Sequence, residues 1–237
     1  MIDQRPSRAA AIRDAIRAAW PICLGYVPIG LAFGVLARQA GLRPWEAGLM
    51  SLVVFAGSSQ FIAVSMLGLG ASSAAIVSTT LVVNLRHALM SSSLSIHLAG
   101  AGRRFLAAFS HGITDESFAL NLARFRAGGW DRHRALGVNL ATNLAWVASG
   151  VAGACAGQLV PPGALGIDYA LIAMFLCLLV FQLRGRIYLL TACLSGAFAV
   201  LFSLWVPGNS YVVVGSMLGA TTALCIFRRA LRDEVDR

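Results

Sequence analysis

Eight apolar stretches follow one another along this chain, at 18–37, 45–67, 72–97, 105–123, 135–158, 169–183, 187–206 and 210–227. About 20 mostly apolar residues let a helix cross a hydrocarbon core, and a bilayer admits only helices or closed barrels. The sequence is 58% hydrophobic and 12% charged, with a mean hydropathy of +0.74, whereas charged residues make up about a quarter of a soluble domain. The expected fold is an all-α polytopic membrane protein of about 6–8 hydrophobic segments, some of them broken or re-entrant. A short cytoplasmic segment, 1–17, would precede one helical membrane domain at 18–227, with a cytoplasmic tail at 228–237. The run from Trp20 to Ala37 lacks a cleavage pattern and is expected to be a retained first helix.

A formal net charge of +9 does not point to nucleic acid, because the basic residues, all arginines, cluster at the ends of apolar stretches. Arg5, Arg8, Arg13 and Arg17 precede the first segment, and Arg228, Arg229, Arg232 and Arg237 follow the last. By the positive-inside rule both termini are cytoplasmic, as are the loop Arg124–Arg134 and the turn Arg184–Arg186. Pro161-Pro162-Gly163 and Pro207-Gly208-Asn209 then form turns on the other side. The first half fits two topologies. Eight simple crossings would leave Arg103 and Arg104 outside, whereas re-entrant hairpins at 45–67 and 105–123 would put both inside. Arg38 and Arg43 violate the rule either way.

Two segments carry polar residues where lipid would be deepest. Gly57-Ser58-Ser59-Gln60 interrupts the second, and Asn84, Arg86 and His87 lie within the third. An ionisable residue at that depth costs about 2.5–3.5 kcal/mol and normally faces a cavity, a partner or a pathway. Broken backbone there exposes a half-helix N-terminus, which suits a carboxylate, and unwound carbonyls, which suit a cation. This combination suggests a transporter. Arg86 could bind a carboxylate bidentately or pair structurally with Asp115 or Glu116, and His87 could carry a proton. Asn84 and His87 share a helix face by spacing, with Arg86 pointing elsewhere.

Asp115 and Glu116 precede an apolar run, where one acid would cap a helix and the other could serve a proton or an ammonium group. Asn139, Thr142 and Asn143 form a polar stripe best explained by bonding between helices. Glu46 and Asp168 sit at segment edges and should be solvated or capping. Gly30/Gly34, Gly153/Gly157 and Gly215/Gly219 have the spacing for close helix packing, and no internal repeat stands out. The five cysteines have no CxxC spacing and read as small buried hydrophobes. Motifs for hydrolysis, nucleotide binding or metal catalysis are missing, so neither an enzyme nor a cofactor nor a metal is expected.

The combined motifs FAGSSQF (55–61), NLRH (84–87) and TDESFAL (114–120) closely resemble the large subunit of AzlC-type branched-chain amino-acid exporters, with similarity over most of 20–200. The chain departs from that pattern at Ser59 and Met90, where the family shows Ala and Tyr. The resemblance implies export of valine, leucine and isoleucine, with methionine a further candidate, driven by the proton gradient across the bacterial inner membrane. It also implies a small AzlD-like membrane subunit as partner.

The residues themselves suggest the site. Gly57, Ser58, Ser59, Gln60, Asn84 and Arg86 are the substrate-binding candidates; His87, Asp115 and Glu116 are the proton-coupling candidates. Phe55, Phe61 and Leu85 would receive the apolar side chain. The alternatives are export of another small solute, or a membrane scaffold subunit that transports nothing itself.

Overall fold

The computed structural model describes residues 8–161, 166, 169, 172–173, 176–177, 179–180, 183, 185–205 and 210–235. Asp168, Arg184, Pro162, Gly163 and the turn Pro207-Gly208-Asn209 lie outside the described residues, as does most of the segment at 169–183. Among the described residues all regular structure is helical, and four helices are long and apolar enough to cross a membrane: Ala9–Gln39, Ser73–Leu98, Arg132–Ala156 and Arg186–Ser203. The chain divides into two compact units, Met1–Ile172 and Ala173–Arg237.

The first unit is organised around two long helices, α1 (Arg8–Gln39) and α7 (Arg132–Ala156). Small residues let their backbones meet. Gly137 abuts Ala15, Gly30 abuts Ser149, Gly34 abuts Gly150 and Ala154, and Gly157 abuts Arg38. Residue numbers rise together along this seam, so the two helices are parallel. The expected glycine pairs at 30/34 and 153/157 are thus two sides of one contact.

Between them the chain makes two hairpins. In the first, α2 (Pro44–Val54) starts beside the C-terminal end of α1, with Pro44 in its first turn and the Glu46 carboxylate accepting from the Arg43 amide at 2.7 Å. It runs down α7, where Gly48 faces Val151, and stops at Phe55. Phe55 has φ 34°, the only positive φ outside glycine among the described residues, at a cost of about 1–3 kcal/mol. The chain then reverses: in α3 (Gly57–Gly68), Gly57 faces Trp146, Phe61 packs edge-on to Phe33 at 5.7 Å, and a methyl at Gly68 would touch Ala40. Both ends of this hairpin therefore lie at one end of the unit.

Helix α4 (Ser73–Ser95) crosses to the other end, capped at its start by the Ser72 hydroxyl and prolonged by a 3-10 turn, Ile96–Leu98. There Leu94 and Leu98 pack with Phe109, Ile113 and Ala135. The second hairpin is based at this end. In α5 (Arg103–His111) the Phe109 carbonyl accepts from Asn139 at 3.0 Å, and Gly112 then abuts Asn139. In α6 (Asp115–Ala127) the chain returns, with Asn121 bonded to Asn139 and the Ala135 carbonyl, and Phe125 stacked on His97 at 4.7 Å. Within the first unit, 45–67 and 105–123 each form a hairpin rather than a single crossing: apolar length was compatible with both, and the packing of α3 back toward Ala40 decides it for the first. The polar stripe on α7 serves contacts between helices through Asn139, whereas Thr142 bonds the Val138 and Asn139 carbonyls of its own helix.

In the second unit, α8 (Arg186–Ser203) and α9 (Ser210–Val235) pack through Gly215 against Ala199 and Gly219 against Ser195. The cysteine expectation needs correction. Cys23 is half-buried, while Cys155, Cys177, Cys193 and Cys225 lie on outward helix faces, where a small apolar group suits lipid as well as a core.

Candidate functional site

The tips of the two hairpins meet in the middle of the first unit, flanked by α1, α4 and α7. The break in the first hairpin falls at Phe55–Ala56 rather than across Gly57–Gln60, which form the opening turn of α3. The left-handed Phe55 makes the reversal, and Gly57 lies close under the Trp146 ring, which a β-carbon there would crowd at 3.1 Å. No side-chain hydrogen bond caps α3, which leaves its first amides without that partner.

Each polar residue of this turn has its own partner. Ser58 Oγ accepts from Arg86 Nη2 at 2.6 Å, and Ser59 donates to the Asn84 side-chain oxygen. Gln60, fully buried, donates to Ser51 at 3.1 Å and accepts from the Trp146 indole at 2.8 Å. Trp146 is held in turn by Phe33, stacked at 6.0 Å, and by Tyr26, edge-on at 5.4 Å. Asn84 and Arg86, expected on different sides, thus converge on adjacent serines, because the long arginine stem reaches round the helix.

The second tip is charged. Thr114 caps α6 by accepting from the Ser117 amide, while Ser117 accepts from the Thr114 amide. Thr114 takes the capping role allotted to an acid, leaving Asp115 and Glu116 free in the first turn. Asp115 Oδ2 lies 2.6 Å from Arg86 Nη1, with both side chains about one-third exposed (32% and 29%). Tyr26 Oη lies 2.6 Å from Glu116 and 2.7 Å from Thr114 Oγ1. A phenol has one proton; given to the carboxylate, it leaves the Tyr26 oxygen to accept from Thr114. His111 Nε2 reaches the Leu52 carbonyl at 2.8 Å, a direct link from one tip to the other.

Arg86 is the joint of the site. Its two terminal nitrogens hold Ser58 of one hairpin and Asp115 of the other, and its buried Nε has no partner. The structural pairing of Arg86 with Asp115 considered from the sequence is therefore present. The His87 side chain makes no hydrogen bond among the described residues, although it adjoins Arg86. Phe55 and Phe61 are buried beside the tip as expected, but Leu85 is 58% exposed and turned away, since a residue one step from Arg86 faces another side of α4. Sequence reasoning missed Tyr26, Trp146 and His111. Tyr26 and Trp146 look like ordinary apolar-segment aromatics, and only the buried hydrogen-bonding tip of each could have hinted at a role.

The sequence was compared with known proteins. The profile of the AzlC family, described as AzlC protein, matches residues 21–160, a stretch that holds both hairpins and every site residue named above. An uncharacterized membrane protein of Archaeoglobus fulgidus is 33% identical, covering 90% of this chain and 94% of its own. The inner membrane protein YgaZ of Escherichia coli is 30% identical over 91% of each chain. The branched-chain amino acid transport protein AzlC of Bacillus subtilis is 28% identical, covering 97% of this chain and 90% of its own. No solved structure matches the sequence. The chain belongs to the AzlC family.

Proposed function

We propose that this chain is the substrate-handling subunit of a proton-coupled exporter of branched-chain amino acids, acting with a small AzlD-like partner in a bacterial inner membrane with both termini cytoplasmic. The name of the Bacillus relative supports the substrate class. The observation that carries the mechanism is the bridging position of Arg86 between Ser58 and Asp115 at the meeting point of two hairpins.

An amino acid brings a carboxylate, an ammonium group and an apolar side chain. The substrate carboxylate replaces Asp115 on Arg86, using the unpartnered Nε and the uncapped amides at the start of α3. Asp115, released, takes either the ammonium group or the coupling proton. Glu116, tied to Tyr26, and His87, beside Arg86, are the other proton candidates. The side chain rests near Phe55 and Phe61, where one methylene discriminates by only about 1–3 kcal/mol, which accounts for several branched-chain substrates sharing one site. Proton and substrate compete for the Arg86–Asp115 pair, so entry of one favours release of the other. Nothing in this scheme needs a covalent step, in keeping with a transporter rather than an enzyme.

Efflux of labelled leucine from cells fed a leucine-containing dipeptide tests the reading, with the chain expressed alone and beside its small partner. Efflux is expected with the partner and lost in Arg86→Gln and Asp115→Asn at normal abundance. Normal efflux in both variants would remove the site assignment, and no efflux from the intact pair would favour another solute or the scaffold reading.

A further inference from the structure

Away from the hairpin tips, the end of the first unit that bears the base of the α5–α6 hairpin contains an open cavity of about 340 Å³. It is lined by Asp14 and Arg17 of α1, Arg124 near the end of α6, and Trp130 and Arg134. Arg134 is fully engaged: Nε and Nη2 hold Asp14 at 3.1 and 3.0 Å, and Nη1 holds Asp131 at 2.9 Å. Both nearby carboxylates are thereby spent on one arginine. Arg17 and Arg124 line the same cavity with no carboxylate partner among the described residues.

Arg124 is nonetheless not free to wander. Its guanidinium lies 5.5 Å from the centre of the Trp130 ring, which is fixed by its own hydrogen bond to Asn121 at 3.1 Å. Two cationic forks facing one cavity suit a phosphodiester, an anion that each can grip bidentately. On α1 the face of Arg17 continues through Trp20 and Leu24, three and seven residues further on, both 58% exposed. A charged mouth above an apolar rail matches an amphiphile rather than a small soluble ion.

We propose that this cavity binds the phosphate of an anionic phospholipid, with the headgroup between Arg17 and Arg124 and an acyl chain along Trp20 and Leu24. The lipid would tie α1 to the α6–α7 turn, adding to the Arg134–Asp14 ion pair and the packing of Trp130 on α1.

Native mass spectrometry of the full chain in detergent, titrated with phosphatidylglycerol or phosphatidylcholine, tests this directly. Phosphatidylglycerol is expected to bind about tenfold more tightly, and Arg17→Gln or Arg124→Gln to weaken it about fivefold each. Arg126→Gln, at the same end but outside the cavity lining, should change it little. Equal retention of the two lipids, or an equal loss in Arg126→Gln, would overturn the site. Displacement of the lipid by inorganic phosphate with no loss on Trp20→Ser would overturn the lipid assignment in favour of a free anion. Should a glutamine variant fail to accumulate, Arg17→Lys and Arg124→Lys keep the charge but not the fork and should weaken phosphatidylglycerol binding about threefold each; unchanged binding in both would overturn the site.

Discussion

The two hairpin tips are built from the short sequences Ser58-Ser59-Gln60-Phe61 and Asp115-Glu116-Ser117-Phe118, and they differ mainly in charge. Ser58 and Asp115 both bind Arg86. Ser59 and Glu116 each reach a long helix, Asn84 of α4 in one case and Tyr26 of α1 in the other. Gln60 and Ser117 are each fully buried and anchor their tip. Yet the first tip is neutral and uncapped, the second acidic and capped by Thr114. On the proposed reading, uncapped amides on one side and two carboxylates on the other would suit the two ends of an amino acid. That asymmetry, more than the presence of polar groups at depth, is what a zwitterionic cargo would require.

The sharpest break of this comparison is topological. In a chain with its five cysteines replaced, Leu69→Cys and Gly102→Cys mark the bases of the two hairpins. A membrane-impermeant thiol reagent should label them from opposite faces, and labelling from one face would dissolve the opposed arrangement. Next in size, Arg86→Gln should lower leucine efflux by about thirtyfold or more, since a close charged contact contributes about 2–5 kcal/mol. Asp115→Asn should match it, and the Arg86→Gln/Asp115→Asn pair should lose no more than either single variant, because the two side chains form one ion pair and removing the second partner takes away nothing further.

Gln60→Leu orphans the Trp146 indole and the Ser51 hydroxyl, so thermal unfolding in detergent should show a loss of about 1–3 kcal/mol. The same change at the second tip, Ser117→Ala, should cost less, because Thr114 remains to accept from the backbone. Smallest of all, Ala56→Ser should add to α3 the cap it lacks, raising stability by about 1 kcal/mol while weakening substrate affinity, as the serine would occupy an amide meant for the carboxylate. An increase in affinity would show that those amides do not meet the substrate.

Much of the plan was legible before any coordinates. Apolar length marked the segments, the clustering of Gly57–Gln60 and of Asp115–Glu116 marked the tips, and the arginines at 103 and 104 left room for re-entrant hairpins. The direction of return was not legible, because hydropathy measures immersion and not heading; only the contact of Gly68 with Ala40 settles it. The partners of the site were equally hidden. Arg86 meets a serine 28 positions back, and Tyr26 meets an acid 90 positions on. Such pairings depend on tertiary packing that no local pattern encodes. The reversal at Phe55 was also unforeseeable, since a bulky residue is a poor choice for a left-handed conformation and only its burial among the tip residues sustains it.

The seam between α1 and α7 has a mechanical meaning. Where glycine backbones touch, as Gly153 does the carbonyl of Leu31, there is no side-chain cushion to absorb a small shear. Sliding would require a jump of a whole helical turn, about 5.4 Å, in every contact at once. In the transport reading proposed above, the pair would be a stator and the hairpins the moving parts; they touch it through packing, as of Gly48 on Val151 and Phe61 on Phe33, and through hydrogen bonds such as Trp146 to Gln60 and Tyr26 to Glu116. On that reading the hydrogen bonds would be exchanged one at a time for bonds to a cargo, and each half-cycle would need only a short stroke of one tip against a stationary spine.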